Sequence, residues 1–212
     1  VISALGVAQF ARINLVPVEL QVVRSLPPER VGLLLVPAAL GIAITMPLGG
    51  WLVDRFGARL PVTIGACFAA LGSLLIARLS FDGPVVDVIV AVIAQGVGNG
   101  LMIVPTTIAA LNSLPRQFVS QASGVNELTR QLSGALGVAV LSAIIVGRLG
   151  SISPARVNPE AAQAAYNEVF MIAFWIALVA AVLALFLPGP RRAREHRELR
   201  TAELSTSGYG EA

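Results

Sequence analysis

The side chains that could do chemistry in this chain are few, and most of them interrupt long apolar runs. Arg12 and Glu19 stand seven residues apart in the first run, with Gln9 three residues before Arg12. Seven residues is about two helical turns, so in a helix the three share one face. An arginine at the middle of a membrane span costs at least about 2.5–3.5 kcal/mol on insertion scales. That cost points to a face lining a wet cavity. Glu19 would be its protonatable or cation-contacting group, and Arg12 would tune Glu19 or hold an anionic group. Gln95 and Asn99 form a second polar pair at helical spacing in the fourth run. Glu127 and Arg130, three residues apart at the entry of the fifth, could pair with each other. They could equally act as a latch on the turn around Asp54.

Enzyme chemistry finds no support in the same inventory. The single His196 stands in a basic tail with no serine–acid arrangement and no metal partner. The single Cys67 lies in an apolar segment, without metal-ligand spacing, and is expected to pack there. No phosphate-binding loop is present. The run Gln95-Gly96-Val97-Gly98-Asn99-Gly100 fails as a dinucleotide fingerprint, because it lies inside a long apolar span with no strand before it. Neither metal nor cofactor is expected.

The elements that must position these groups follow from composition. Of 212 residues, 56% are hydrophobic and only 13% charged, and the mean hydropathy is +0.79. A soluble domain is about one quarter charged. Too few polar residues exist here to cover the apolar ones in water, so the lipid bilayer is the solvent. All fifteen basic residues are arginine, and five of them (Arg191, Arg192, Arg194, Arg197 and Arg200) crowd the tail after the last apolar run. Such clustering suits a membrane surface rather than nucleic acid.

Six runs are long enough to span about 30 Å of hydrocarbon at 1.5 Å per residue. They cover residues 1–23, 31–53, 60–79, 85–111, 121–146 and 169–187. Residues 1–190 are therefore expected to form a six-helix, all-α membrane domain. Residues 191–212 form a basic tail, a short surface helix followed by disorder. Residues 151–168 read as a polar connection. Six spans place both chain ends on one side. The arginine count puts that side in the cytoplasm, together with Arg55, Arg59 and Arg116. The chain begins without methionine and inside an apolar run, which suggests a piece of a longer protein.

Polar side chains mark the first and fourth runs, whereas the third and sixth are bland. A period of three helices is expected of two three-helix units repeated with inverted topology. It places the first and fourth helices around a cavity and the third and sixth outside, against lipid. Within the fourth, Gly96 and Gly100 permit close helix contact and Pro105 favours a kink. Ala135, Ala139, Ala143 and Gly147 in the fifth run, and Ala173, Ala177 and Ala181 in the sixth, read as packing stripes.

The sharpest motif is Gly50-Trp51-Leu52-Val53-Asp54-Arg55-Phe56-Gly57-Ala58-Arg59, between the second and third runs. Asp54 could cap the helix that follows, and Arg55 and Arg59 lie near enough to pair with it. The segment resembles the signature loop of the major facilitator superfamily. Gly50, Leu52, Asp54, Arg55 and Gly57 match, Arg59 stands at the final basic position, and Ala58 departs where a basic residue is usual. Leu20-Gln21, Ser25-Leu26-Pro27 and Gly32 to Pro37 resemble the opening of the C-terminal half in fourteen-helix drug:proton antiporters. Ala122-Ser123-Gly124 through Arg130-Gln131-Leu132-Ser133-Gly134-Ala135-Leu136-Gly137-Val138-Ala139 resembles their penultimate helix.

The resemblance implies half of a major facilitator fold in the plasma (inner) membrane. Its partners would be protons, a small hydrophobic or cationic substrate and a missing N-terminal half. The Asp54 loop would be its conformational switch. Rival readings are an exporter dedicated to one metabolite or antibiotic, and a non-transporting scaffold or truncated remnant. A scaffold would need neither Arg12 in the membrane nor a gating turn.

Overall fold

A main chain in hydrocarbon has no water to bond, so each segment must satisfy its own N–H and C=O groups, and the helix does so within one segment. The computed structural model describes residues 2–79, 83–111, 119–149 and 159–186; the basic tail lies outside them. The described residues form six helices: α1 (Ile2–Val22), α2 (Pro28–Phe56), α3 (Arg59–Ala77), α4 (Val85–Leu111), α5 (Val119–Leu149) and α6 (Pro159–Ala184). Five of the six are long and apolar enough to cross a membrane. α1, diluted by its polar residues, offers a shorter apolar stretch, Ile13–Val22.

The packing carries the repeat. α1 packs on α5 and α6, α4 packs on α2 and α3, and α3 packs on α6. Exchanging α1 with α4, α2 with α5 and α3 with α6 maps every substantial helix pair onto another such pair. Each unit's first helix thus rests on the other unit's second and third, which interlocks the two units.

Small residues make those contacts close. Along α4, glycines alternate between two neighbours. Gly96 faces the Ala38 carbonyl of α2, and Gly100 faces Thr45 and the Ile42 carbonyl. Gly98 turns instead to α3, where an added Cβ would lie 2.6 Å from the Gly65 carbonyl oxygen and 2.7 Å from the Ala69 nitrogen. From α2, Gly41, Thr45 and Gly49 are buried in return. The Thr45 hydroxyl donates to its own helix at the Gly41 carbonyl, 2.6 Å away, and lies 3.3 Å from the Val97 carbonyl of α4. α4 runs without a break through Pro105.

Several expectations need correction. The sixth helix begins at Pro159, ten residues before the expected 169. Proline is favoured at the first helical position, and the alanines after it are strong helix formers. Ala162, Tyr166, Val169, Phe170 and Ala173 then form one buried stripe. Glu168, expected in a connection, lies on α6 and pairs with Arg148 at 2.7 Å.

α3 and α6 pack on each other through small residues: α3 buries ten, among them Gly65, Ala66, Ala69, Gly72 and Ser73, and Ala173, Ala177 and Ala181 of α6 are buried with it. Their other faces carry exposed Leu60, Ile64, Phe68 and Leu71 on α3 and Trp175, Val179 and Val182 on α6. α2 and α5 are the least buried of the spanning helices. On α5 the stripe Ala135, Ala139, Ala143 and Gly147 faces outward, whereas Gly134 and Gly137 meet Phe10 and Val7 of α1. Cys67 is exposed on α3 rather than packed.

The tight α3–α4 contact sets a stability test. Gly98→Ala drives a methyl group into backbone that cannot yield, at an expected cost of about 1–3 kcal/mol. Gly32→Ala, with open space around it, should be neutral or slightly stabilising. Thermal unfolding of the two detergent-solubilised variants compares them directly.

Candidate functional site

The pocket lies where α1, α4 and α5 meet. Gly6 of α1 is buried against α5, and a Cβ there would stand 2.7 Å from the Arg130 carbonyl oxygen. One turn further on, Gln9 reaches the side chain of the same arginine: Arg130 Nη1 donates to Gln9 Oε1 at 3.3 Å. Arg130 also forks onto Glu127, with Nε 3.1 Å and Nη2 2.8 Å from Oε2 and Nη2 2.9 Å from Oε1. Gln131 Nε2 donates to Glu127 Oε1 at 2.9 Å. Local i,i+3 pairing therefore places the arginine, and a close helix contact lets it cross to α1.

Gln9, Glu127 and Arg130 line a cavity of about 180 Å³ together with Asn99, Met102, Ile103, Thr106, Thr107 and Asn126. The Thr106 and Thr107 hydroxyls donate backwards to the Met102 and Ile103 carbonyls, leaving their oxygen lone pairs free to accept. Asn126 Oδ1 is buried without a hydrogen bond. With Arg130 neutralised by Glu127, the lining offers acceptors beside an apolar wall of Met102 and Ile103. Drug-sized pockets run to about 300–1,000 Å³, so this one has room for part of such a molecule.

Of the residues expected at a cavity, Gln9 and Asn99 are there, and Glu127 and Arg130 join them. Gln95 is not: one turn before Asn99 on the same face of α4, its side chain packs against Gly72 of α3. Glu19 is not either. Ten residues beyond Gln9, about 15 Å along the helix axis, it is buried among α1 and α6 side chains, only 1% exposed. The side chain of Arg12 lies outside the described residues.

Asp54 does not cap α3, whose first turn opens at Ala58 without a side-chain hydrogen bond. It is still helical and exposed, and has no side-chain hydrogen bond or ion pair among the described residues. Arg55 lies instead over the Trp51 ring, 4.6 Å from its centroid. α2 continues to Phe56 and ends at Gly57, whose φ of 77° suits glycine and whose N–H returns to the Val53 carbonyl at 2.9 Å. Glu127 pairs with Arg130 and not with this turn.

The sequence reading missed Asn126, Gly6 and the apolar wall. Gly6 carries no local signal, because its role depends on what α5 brings opposite it.

The six interlocked helices and the polar pocket at their crossing define half of a transporter fold, and the comparisons agree. The family model of the Major Facilitator Superfamily matches residues 1–209, and the chain belongs to that family, one of transporters and not of enzymes. The MFS-type transporter YcnB of Bacillus subtilis is 28% identical over 202 residues, covering 93% of this chain and 43% of YcnB. The multidrug resistance protein Stp of Mycobacterium tuberculosis is 33% identical over 132 residues, 62% of this chain and 24% of Stp. The structure of the proton:xylose symporter XylE superposes with a TM-score of 0.69 at 18% identity, over 92% of this chain and 45% of XylE; that likeness establishes the fold alone. The chain spans less than half the length of each.

Because Gln9 and Arg130 share one bridge, Gln9→Ala and Arg130→Ala in the full-length protein should lower the initial transport rate by similar factors. The double variant should be no worse than the more severe single one. Each should cost no more than about 1 kcal/mol in stability, since the Arg130–Glu127 pair is part-exposed.

Proposed function

We propose that this chain is the C-terminal half of a secondary transporter that exports small hydrophobic or cationic molecules in exchange for protons. The observation that carries the reading is the pocket bounded by α1, α4 and α5 in a chain of this family. Its volume and its acceptor-rich, partly apolar lining suit one portion of such a molecule. The rest of the cavity would be completed by an N-terminal half across the exposed faces of α2 and α5. Alternating access then exposes the pocket to one side of the membrane at a time.

The drug-efflux assignment draws on the name of the relative Stp and on the two stretches that resemble fourteen-helix drug:proton antiporters. Asp54, Arg55 and Arg59 would act as the conformational switch at the turn between α2 and α3. Exposed and unpaired in this state, Asp54 is available to a partner outside the six helices. The arginine-rich tail supports a multi-pass protein of the plasma membrane with its C-terminus in the cytoplasm.

The test is efflux of a panel of dyes and drugs from cells expressing the full-length protein, with and without collapse of the proton gradient. Export of several unrelated compounds that stops on collapse is the expected result. Export of a single compound would move the reading to a dedicated exporter. Export of none, from correctly inserted protein, would overturn it.

A further inference from the structure

At the end of the bundle opposite the Asp54 turn, α1, α6 and the end of α3 meet around one buried carboxyl group. Glu19 is 1% exposed and Gln163 is 6% exposed. The Gln163 amide nitrogen is 3.4 Å from Glu19 Oε1, 3.2 Å from the Leu79 carbonyl oxygen and 2.8 Å from Asn167 Oδ1. One amide thus ties three elements together. Its own oxygen, Gln163 Oε1, is buried and accepts no hydrogen bond. Around the pair stand Leu20, Val23, Val169 and Phe170, all essentially inaccessible, with Leu141 and Ile145 of α5 in the same cluster.

An ionised carboxylate in such a place is costly unless it is paired and well hydrogen-bonded. Among the described residues Glu19 forms no ion pair, and its one hydrogen bond is long. The described titratable groups facing it are Arg24, just beyond α1, whose charge attracts it, and Tyr166 of α6. The Arg24 guanidinium donates at Nη1 to the Gly83 carbonyl, 3.1 Å away, on the α3–α4 connection. The arrangement therefore has a carboxyl group short of donors beside an amide oxygen short of a donor. Both deficits vanish if the carboxyl carries a proton, because its hydroxyl can then donate to Gln163 Oε1.

We propose that Glu19 is a proton-binding site and that the packing of α1 against α6 at this end is its protonated state. Taking a proton from water forms the O–H bond that bonds to Gln163 and closes the contact. Returning the proton to water leaves a buried carboxylate that is relieved only when α1 and α6 separate and admit water. Gln163 is the positioning residue, holding the acceptor in place through Leu79 and Asn167. The site is about 15 Å along α1 from Gln9, so protonation and substrate occupy different places and communicate through one helix. This inference rests on the transporter reading, because it assigns the proton that reading requires.

Hydrogen–deuterium exchange of the full-length protein in lipid nanodiscs tests it, with amides of residues 16–23 and 162–167 followed against pH after correction for intrinsic exchange. Protection of both segments should fall as pH rises, by up to about tenfold per pH unit where Glu19 titrates, the limit for one linked proton. Glu19→Gln, which keeps the shape and cannot ionise, should stay protected throughout. Unchanged protection across pH in the wild-type protein overturns the proposal whether or not the variant folds. An unchanged pH response in Glu19→Gln also overturns it. Either result alongside gradient-driven efflux would leave the transporter reading standing and remove only Glu19 from it, whereas efflux indifferent to the gradient would remove the reading itself.

Discussion

Helix backbones in hydrocarbon gain nothing from hiding apolar surface from each other, because lipid tails are as apolar as leucine. What holds them together is close contact, and close contact needs residues small enough to allow it. In this chain that requirement falls on α4. Gly96 and Gly100 admit α2 on one side while Gly98 admits α3 on the other. The interlocking of the two three-helix units depends on this helix being narrow on both sides at once. Its symmetry counterpart, α1, has close contact on one side, where Gly6 meets α5 and α5 supplies Gly134 and Gly137.

The same narrowness makes the pocket. Where Gly6 lets α1 approach the Arg130 carbonyl, the arginine's side chain can pair within its own helix and still reach Gln9. Gln9, Glu127 and Arg130 are then held by one another at the wall of the cavity. A membrane protein places such groups against protein or water and not against lipid.

The two ends of the bundle are built differently. Around Asp54 the charges are exposed and loosely held, with Arg55 resting on Trp51. Around Glu19 the polar groups are sealed and tied to three elements by Gln163. One end is thus closed around buried hydrogen bonds, and the other leaves its charged side chains exposed.

Composition and apolar run length alone determined that the chain is a helical membrane protein, where five of its six helices lie within a few residues, and that a repeat of three organises them. These are properties of local hydrophobicity, and the bilayer imposes them on each segment separately. Spacing also marked Gln9 and Asn99 as polar groups at depth, and Glu127 and Arg130 as a pair at the entry of the fifth run. Which of them share a pocket was decided by tertiary structure. Gln95 and Asn99 are one turn apart on one face of α4 yet meet different neighbours, because what packs on that face changes along the helix. Residues 159–168 look polar in a hydropathy window, but their Ala162, Ala165 and Tyr166 stripe becomes decisive only when α1 covers it. The alanine stripe of α5 reads as a packing face and is exposed among the six described helices, since small residues permit contact without choosing the partner. Periodicity in a chain tells which side of a helix is different; only the packed arrangement tells what that side meets.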